Sequence, residues 1–92
     1  MIASFKHRGL KRFFEEGDVR RLPPEMVERI RVILGRLAIA ERIEDMNVHA
    51  WKLHELKGQR KGTWSVTVRA NWRITFRFEK GYAFDVNFED YH

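Results

Sequence analysis

Apolar residues recur along this chain with two different periods, and the change between them divides it into a helical half and a stranded half. Ile2 to Phe5 is a short apolar start that predicts an edge strand. Leu10, Phe13 and Phe14 follow at helical spacing, and Gly17 is placed to stop that helix. Pro23-Pro24 opens a second, longer helix, because proline fits the first turn, and Glu25 and Glu28 favour the positive end of its dipole. Its buried stripe is expected to be Val27, Ile30, Leu34 and Leu37, widened by Met26, Ile33 and Ala38. Arg29, Arg31 and Arg36 then form a solvated outer face.

Beyond Trp51 the period becomes two. Trp64, Val66 and Val68 alternate with Thr63, Ser65, Thr67 and Arg69. Trp72, Ile74, Phe76 and Phe78 alternate with Arg73, Thr75, Arg77 and Glu79, and Tyr82, Phe84, Val86 and Phe88 with Ala83, Asp85, Asn87 and Glu89. These are half-buried antiparallel strands. Partners across a sheet share a face, so an unbroken ladder predicts a three-residue loop, Glu79-Lys80-Gly81, that pairs Phe78 with Tyr82, Phe76 with Phe84, Ile74 with Val86 and Trp72 with Phe88. The same logic makes Arg69-Ala70-Asn71 a turn with Asn71 left-handed, and pairs Val68 with Trp72. Arg73 is then opposite Asn87, Asn71 near Glu89 and Arg69 near Tyr91.

Composition narrows the classes. The 92 residues make one domain, 1–92, without repeats or linkers, and the absence of cysteine removes disulfides and thiolate metal sites. No run approaches the roughly 18 to 20 apolar residues of a membrane span, and Met1-Ile2-Ala3-Ser4 lacks a signal-peptide core, so a cytoplasmic, membrane-free protein is expected. The net charge of +5 points to a polyanion. The charge is concentrated in the stranded half, where Lys52, Lys57, Arg60, Lys61, Arg69, Arg73, Arg77 and Lys80 face only Glu55 and Glu79 between Trp51 and Gly81.

Metal-free RNA cleavage needs a base at the 2′-hydroxyl, an acid at the leaving 5′-oxygen and positive charge around the phosphate. Arg73, with a planar fork that stays charged, suits the phosphate. Lys57 is a second cation and a proton donor, His92 titrates near neutrality beside its own carboxylate, and Asp90 orients or accepts. Tyr91 is either a stacking platform for an unstacked base or an edge aromatic. His54 is equally a functional side chain or a plain strand histidine, while His7 and His49 are expected to be exposed or local caps. Trp51, Trp64 and Trp72 belong to the core. The four histidines lack metal-ligand spacing, which argues against a zinc site.

Lys6-His7-Arg8-Gly9-Leu10, the block LHELKGQRKGTWSVTVRANWRITFRF from Leu53 to Phe78, and the closing FEDYH together resemble the HigB group of the RelE/ParE toxin superfamily. The likeness covers most of the chain and is weakest across the long helix. It implies an α+β fold, two N-terminal helices on a mostly antiparallel twisted sheet in the order β-α-α-β-β-β(-β). It also implies a cofactor-free endoribonuclease that cuts messenger RNA in the ribosomal A site and is neutralised by a HigA-type helix-turn-helix antitoxin, through which it is tied to operator DNA. Lys57, Arg73, Asp90, Tyr91 and His92 match the family pattern as catalytic residues, with His54 and Asn71 in support; Arg69 is added on the expected register alone. Glu55 stands where relatives often have proline. The competing readings are a non-catalytic gyrase inhibitor of the ParE type, which has the same fold, and a basic RNA-binding module without toxicity. Asp90-Tyr91-His92 favours the nuclease.

Overall fold

The computed structural model describes residues 1–91. Helix α1 spans Arg8–Glu16 and α2 spans Val27–Ile39, the latter entered through a 3-10 turn at Pro24–Met26. Strands β1 (His54–Glu55), β2 (Thr63–Arg69), β3 (Trp72–Glu79) and β4 (Tyr82–Asp90) form an antiparallel sheet in the order β1-β2-β3-β4. The N-terminal segment makes isolated parallel bridges to the outer edge of β4, Ile2 with Ala83 and Phe5 with Val86, where an edge strand was expected.

Leu10, Phe13, Ile30, Ile33, Leu34 and Leu37 from the helices meet Val66, Val68, Ile74, Phe76, Ala83, Val86 and Phe88 in one buried cluster. Both helices thus cover one face of the sheet and leave the other open. Trp51 is buried, and Trp64 and Trp72 pack against the cluster, as read from their alternation. Phe14 departs from the expected stripe: it is exposed and meets Phe5 ring to ring at 5.7 Å. Arg29, Arg31 and Arg36 are exposed but partnered. Arg29 donates to the Val68 carbonyl at 2.8 Å, Arg31 pairs with Glu28 and lies 5.0 Å over Phe13, and Arg36 donates to the Asp45 carbonyl.

Nine residues are too few for a helix to persist alone, so α1 relies on its buried face and its caps. Gly17, at φ 73, closes the C-terminal end by donating to the Phe13 carbonyl. At the other end the Nδ1 of His7 accepts the Leu10 N–H at 3.1 Å, and the ring stands edge-on to Phe88 at 5.8 Å. Burial, and then the charge of Arg21, hold the His7 pKa below its ordinary 6.5, against an opposing backbone hydrogen bond. Because the folded pKa is depressed, the stability His7 contributes is complete above 6.5 and is lost as pH falls through the lower folded value. Replacing His7 with Ala is expected to cost about 1 kcal/mol at pH 7.5. His7→Asn keeps a capping oxygen that does not titrate, so its urea midpoint should fall less than that of the parent between pH 7.5 and 5.5; equal falls would remove His7 from this role.

The ladder is not continuous, and the expected register is corrected at both turns. Glu79 pairs with Tyr82 across a two-residue loop, Lys80 (φ 50) and Gly81 (φ 83), so Phe78 faces Ala83. Positive φ at both loop residues is the hairpin geometry that matches strand twist. The loop alone would set apolar residues against polar ones along the rest of the strands. A bulge between Thr75 and Arg77 repairs this: Asp85, at φ 54, is the extra residue of β4, and beyond it Ile74 faces Phe88 and Thr75 faces Asn87. Ala83, Val86 and Phe88 therefore point into the core, while Tyr82 is exposed and Phe84 only half-buried. At the other turn Arg69 pairs with Trp72, a bulge separates Thr67 from Arg69, and Ala70, not Asn71, takes the positive φ.

Candidate active site on the open face of the sheet

The corrected register assigns the candidate residues to rows across the sheet. Arg73 lies between Thr67 and Glu89, not opposite Asn87. Asn71 is beside Tyr91, whose N–H donates to the Asn71 carbonyl at 2.8 Å, and not beside Glu89. Arg69 is joined through Trp72 to Asp90 instead of flanking Tyr91. Arg69, Asn71, Arg73, Asp90 and Tyr91 are thus gathered at one end of the sheet. His92 lies outside the described residues.

Arg73 is half-buried, and its Nη1 donates to the Ala70 carbonyl at 2.6 Å and the Trp72 carbonyl at 3.3 Å. Its Nε is buried with no partner among the described residues. The turn therefore orients the fork through two carbonyls, the acceptors it meets among the described residues. Tyr91 is 42% exposed, which suits a ring open to a ligand more than a core aromatic.

His54 and Lys57 come from the opposite edge. His54 is exposed, pairs with Ser65, and shares a 3.0 Å hydrogen bond between its Nδ1 and the Lys52 carbonyl. In a flat ladder β1 is three strand spacings from β4, about 14 Å. Lys57 follows β1 and precedes a 3-10 turn at Gly58–Arg60. The turn belongs to a loop held at both ends by carboxylates. Glu55 accepts the Gly62 N–H at 2.9 Å, so the residue that departs from the family pattern closes the loop on itself. Glu89 of β4 accepts both arms of the Arg60 guanidinium, at 3.0 and 2.6 Å.

Arg60, Glu89, Thr75 and Glu55 were not singled out from sequence as site residues. Thr75 Oγ1 also donates to Glu89, which joins β3 to the same carboxylate. The Arg60 hydrogen bonds hold the Glu89 pKa below its usual value, opposed by burial and assisted by Thr75 and Asn87. In turn Glu89 raises the pKa of Arg60, and Tyr91 adds a smaller attraction. Lys6, Arg60, Thr75, Arg77, Asn87 and Glu89 line a cleft of about 220 Å³ on this face. Among the described residues no three His, Cys, Asp or Glu side chains come together as a metal site.

A small helix-covered antiparallel sheet with a cationic open face is the architecture of the RelE-like toxins. The structure superposes on a YoeB/ParE toxin from Agrobacterium tumefaciens with a TM-score of 0.58 and 20% identity, over 96% of each chain, which establishes the fold. Residues 3–92 match the family described as RelE-like toxin of type II toxin-antitoxin system HigB, and the chain belongs to that family. It is 52% identical to a Proteus vulgaris protein named Endoribonuclease HigB over 92 residues, the whole length of both. Membership of a type II system implies an antitoxin partner. No helix among the described residues is long and apolar enough to cross a membrane.

Proposed function

We propose that this toxin is a metal-independent endoribonuclease that cuts messenger RNA in the ribosomal A site. The observation that carries the reading is that Arg73, Asn71 and Tyr91 stand at one sheet end, with Asp90 paired to Trp72 in the adjoining row, in a chain 52% identical over its full length to a protein named as an endoribonuclease. In the proposed reaction O2′ attacks the adjacent phosphorus while the P–O5′ bond breaks, which leaves a 2′,3′-cyclic phosphate. The O2′ proton passes to a base and O5′ receives one from an acid, so the step needs no external reactant. Asp90, His92 and Lys57 are the candidates for these two transfers. Arg73 and Lys57 offset the charge of the pentacoordinate phosphorane, and Tyr91 stacks on a base. His54, Asn71 and Arg69 bind the surrounding RNA. The partner is a HigA-type antitoxin, through which the complex contacts operator DNA.

A site with few strong acid–base groups gains most from a substrate already aligned for in-line attack, and orientation alone contributes about 7–11 kcal/mol in favourable cases. Dependence on the ribosome follows from this. The test compares cleavage of one message during translation in a reconstituted reaction with cleavage of the same RNA alone. New ends within codons on the translated message only are expected. Equal cutting of naked RNA would end the ribosome-dependent reading, whereas no cutting together with inhibited DNA supercoiling would move the assignment to a ParE-type gyrase inhibitor.

A further inference from the structure

Two cations on the open face have no part in the reaction above. Lys6 and Arg77 are both exposed, and neither side chain makes a hydrogen bond or an ion pair among the described residues. They line the same cleft of about 220 Å³ and come to it from opposite sides of β4. Lys6 belongs to the N-terminal segment along the outer edge, where its N–H donates to the Val86 carbonyl at 2.8 Å. Arg77 belongs to β3 on the inner side, where it pairs with Thr63 of β2 and Phe84 of β4. Between them β4 is bulged at Asp85, which has φ 54 and whose N–H donates to Ser4 Oγ at 2.9 Å. A bulge of this kind re-aims side chains at a sheet edge.

The charge of the cleft suits an anion. Lys6, Arg60 and Arg77 line it against Glu89 and Asp85, and Glu89 is already bound to both arms of Arg60. Lys6 and Arg77 are therefore the cations left to meet a ligand, and they outnumber the carboxylate of Asp85. Thr63 and Asn87 complete the wall. Hydroxyl and amide groups beside arginine and lysine are the set that binds the phosphate and sugar oxygens of a nucleic acid. The ring that borders the cleft, that of Phe76, is fully buried and offers no face on which a base could stack. The chemistry fits a backbone unit and not a base.

This cleft is separate from the place assigned to the scissile phosphate. Arg77 is four residues beyond Arg73 on β3, about 14 Å along the strand. An even spacing puts both on the open face, yet the Arg73 fork turns to the Ala70 carbonyl, in the turn at the opposite end of β3. A ligand that meets both must carry negative charge at intervals, as an RNA strand does. We infer that Lys6 and Arg77 form a second phosphate subsite, which holds a backbone phosphate of the message other than the one cut and so fixes how the strand lies along the open face. This inference rests on the nuclease reading proposed above. Ribosomal RNA offers the same chemistry, but the message is the strand that the proposed reaction already brings to this face.

Lys6→Gln, Arg77→Gln and the double variant test it. Glutamine removes the charge and keeps an aliphatic stem at two exposed positions, so the melts should match that of the parent. Binding is measured to ribosomes whose message has hydrogen in place of the 2′-hydroxyl at the cut position, and to ribosomes whose message ends before the A site. On the first, the double variant is expected to bind about tenfold more weakly. Its slope of log K against log salt should also be shallower by about 0.7, the loss of one single-strand phosphate contact. On the second it should bind like the parent. With ordinary message KM should rise by the same factor while kcat holds, because the contact is made equally in the ground and transition states. Equal weakening on both ribosomes would assign the pair to ribosomal RNA and overturn the inference, as would unchanged binding on both, or a loss of kcat with KM unchanged. Each of these leaves the nuclease reading standing as long as the parent cuts. A parent that cuts no message overturns that reading, and this inference with it.

Discussion

Removing Tyr91-His92 is expected to restore growth to cells that the intact chain arrests, while the shortened protein stays folded. The structural loss at Tyr91 is small. The buried cluster ends at Phe88, and what Tyr91 gives the fold includes one backbone hydrogen bond to Asn71 at an exposed strand end, a contribution of about 1 kcal/mol. The chemical loss is large on the proposed mechanism. A proton-transfer group is typically responsible for 10²–10⁴-fold in rate, and stacking of one base on an aromatic ring contributes about 1–3 kcal/mol. Together these predict a fall of about 10³-fold or more. Growth, primer-extension mapping of a translated message and a thermal melt read the three quantities in parallel. Arrest that persists after truncation, or arrest by the intact chain without new cuts, would exclude a nuclease built on this terminus, and gyrase would be the next target to assay.

The elements themselves were legible because each depends on a local signal. Gly17 ends α1 by adopting a left-handed conformation that its own residue type announces, and Pro24 marks the entrance to α2. What a period-two reading does not see is an interruption of the period. It assumes that each apolar residue of β4 faces the core, whereas the bulge at Asp85 turns Tyr82 and Phe84 away from it. Two clues were present. Tyr82-Ala83-Phe84 is a contiguous apolar run that alternation does not divide, and the acid that follows is of a kind that tolerates positive φ. The two-residue loop and the bulge each shift the pairing by one residue, and together they moved Arg73 from Asn87 to Glu89, so the sequence placed Arg69, Asn71, Arg73 and Tyr91 at the end of the sheet they occupy but with the wrong neighbours. The Arg60–Glu89 pair had no comparable signal, because it depends on how a loop folds across three strands.

Arg73→Ala is expected to lower kcat on translated message by about 10²–10³-fold with little change in KM, the loss typical of removing a donor that acts on charge developing in the transition state. The fold should survive it. The Arg73 guanidinium binds carbonyls of an exposed turn, and water can take its place at Ala70. Arg73→Lys is the sharper test, because it retains the charge and removes the fork; two phosphate oxygens are then met by one ammonium, and at least a tenfold deficit should remain. If Lys restores full activity, Arg73 supplies charge alone. If KM rises with kcat unchanged, it anchors RNA equally in the ground and transition states. The structure gives a reason to expect the first pattern. The carboxylate directly across the ladder from Arg73 is that of Glu89, yet its oxygens are bound to Arg60 and Thr75, while the Arg73 fork is turned to the carbonyls of its own hairpin. Among the described residues the Arg73 fork thus donates to carbonyls and not to Glu89, which suits a guanidinium that meets a phosphate.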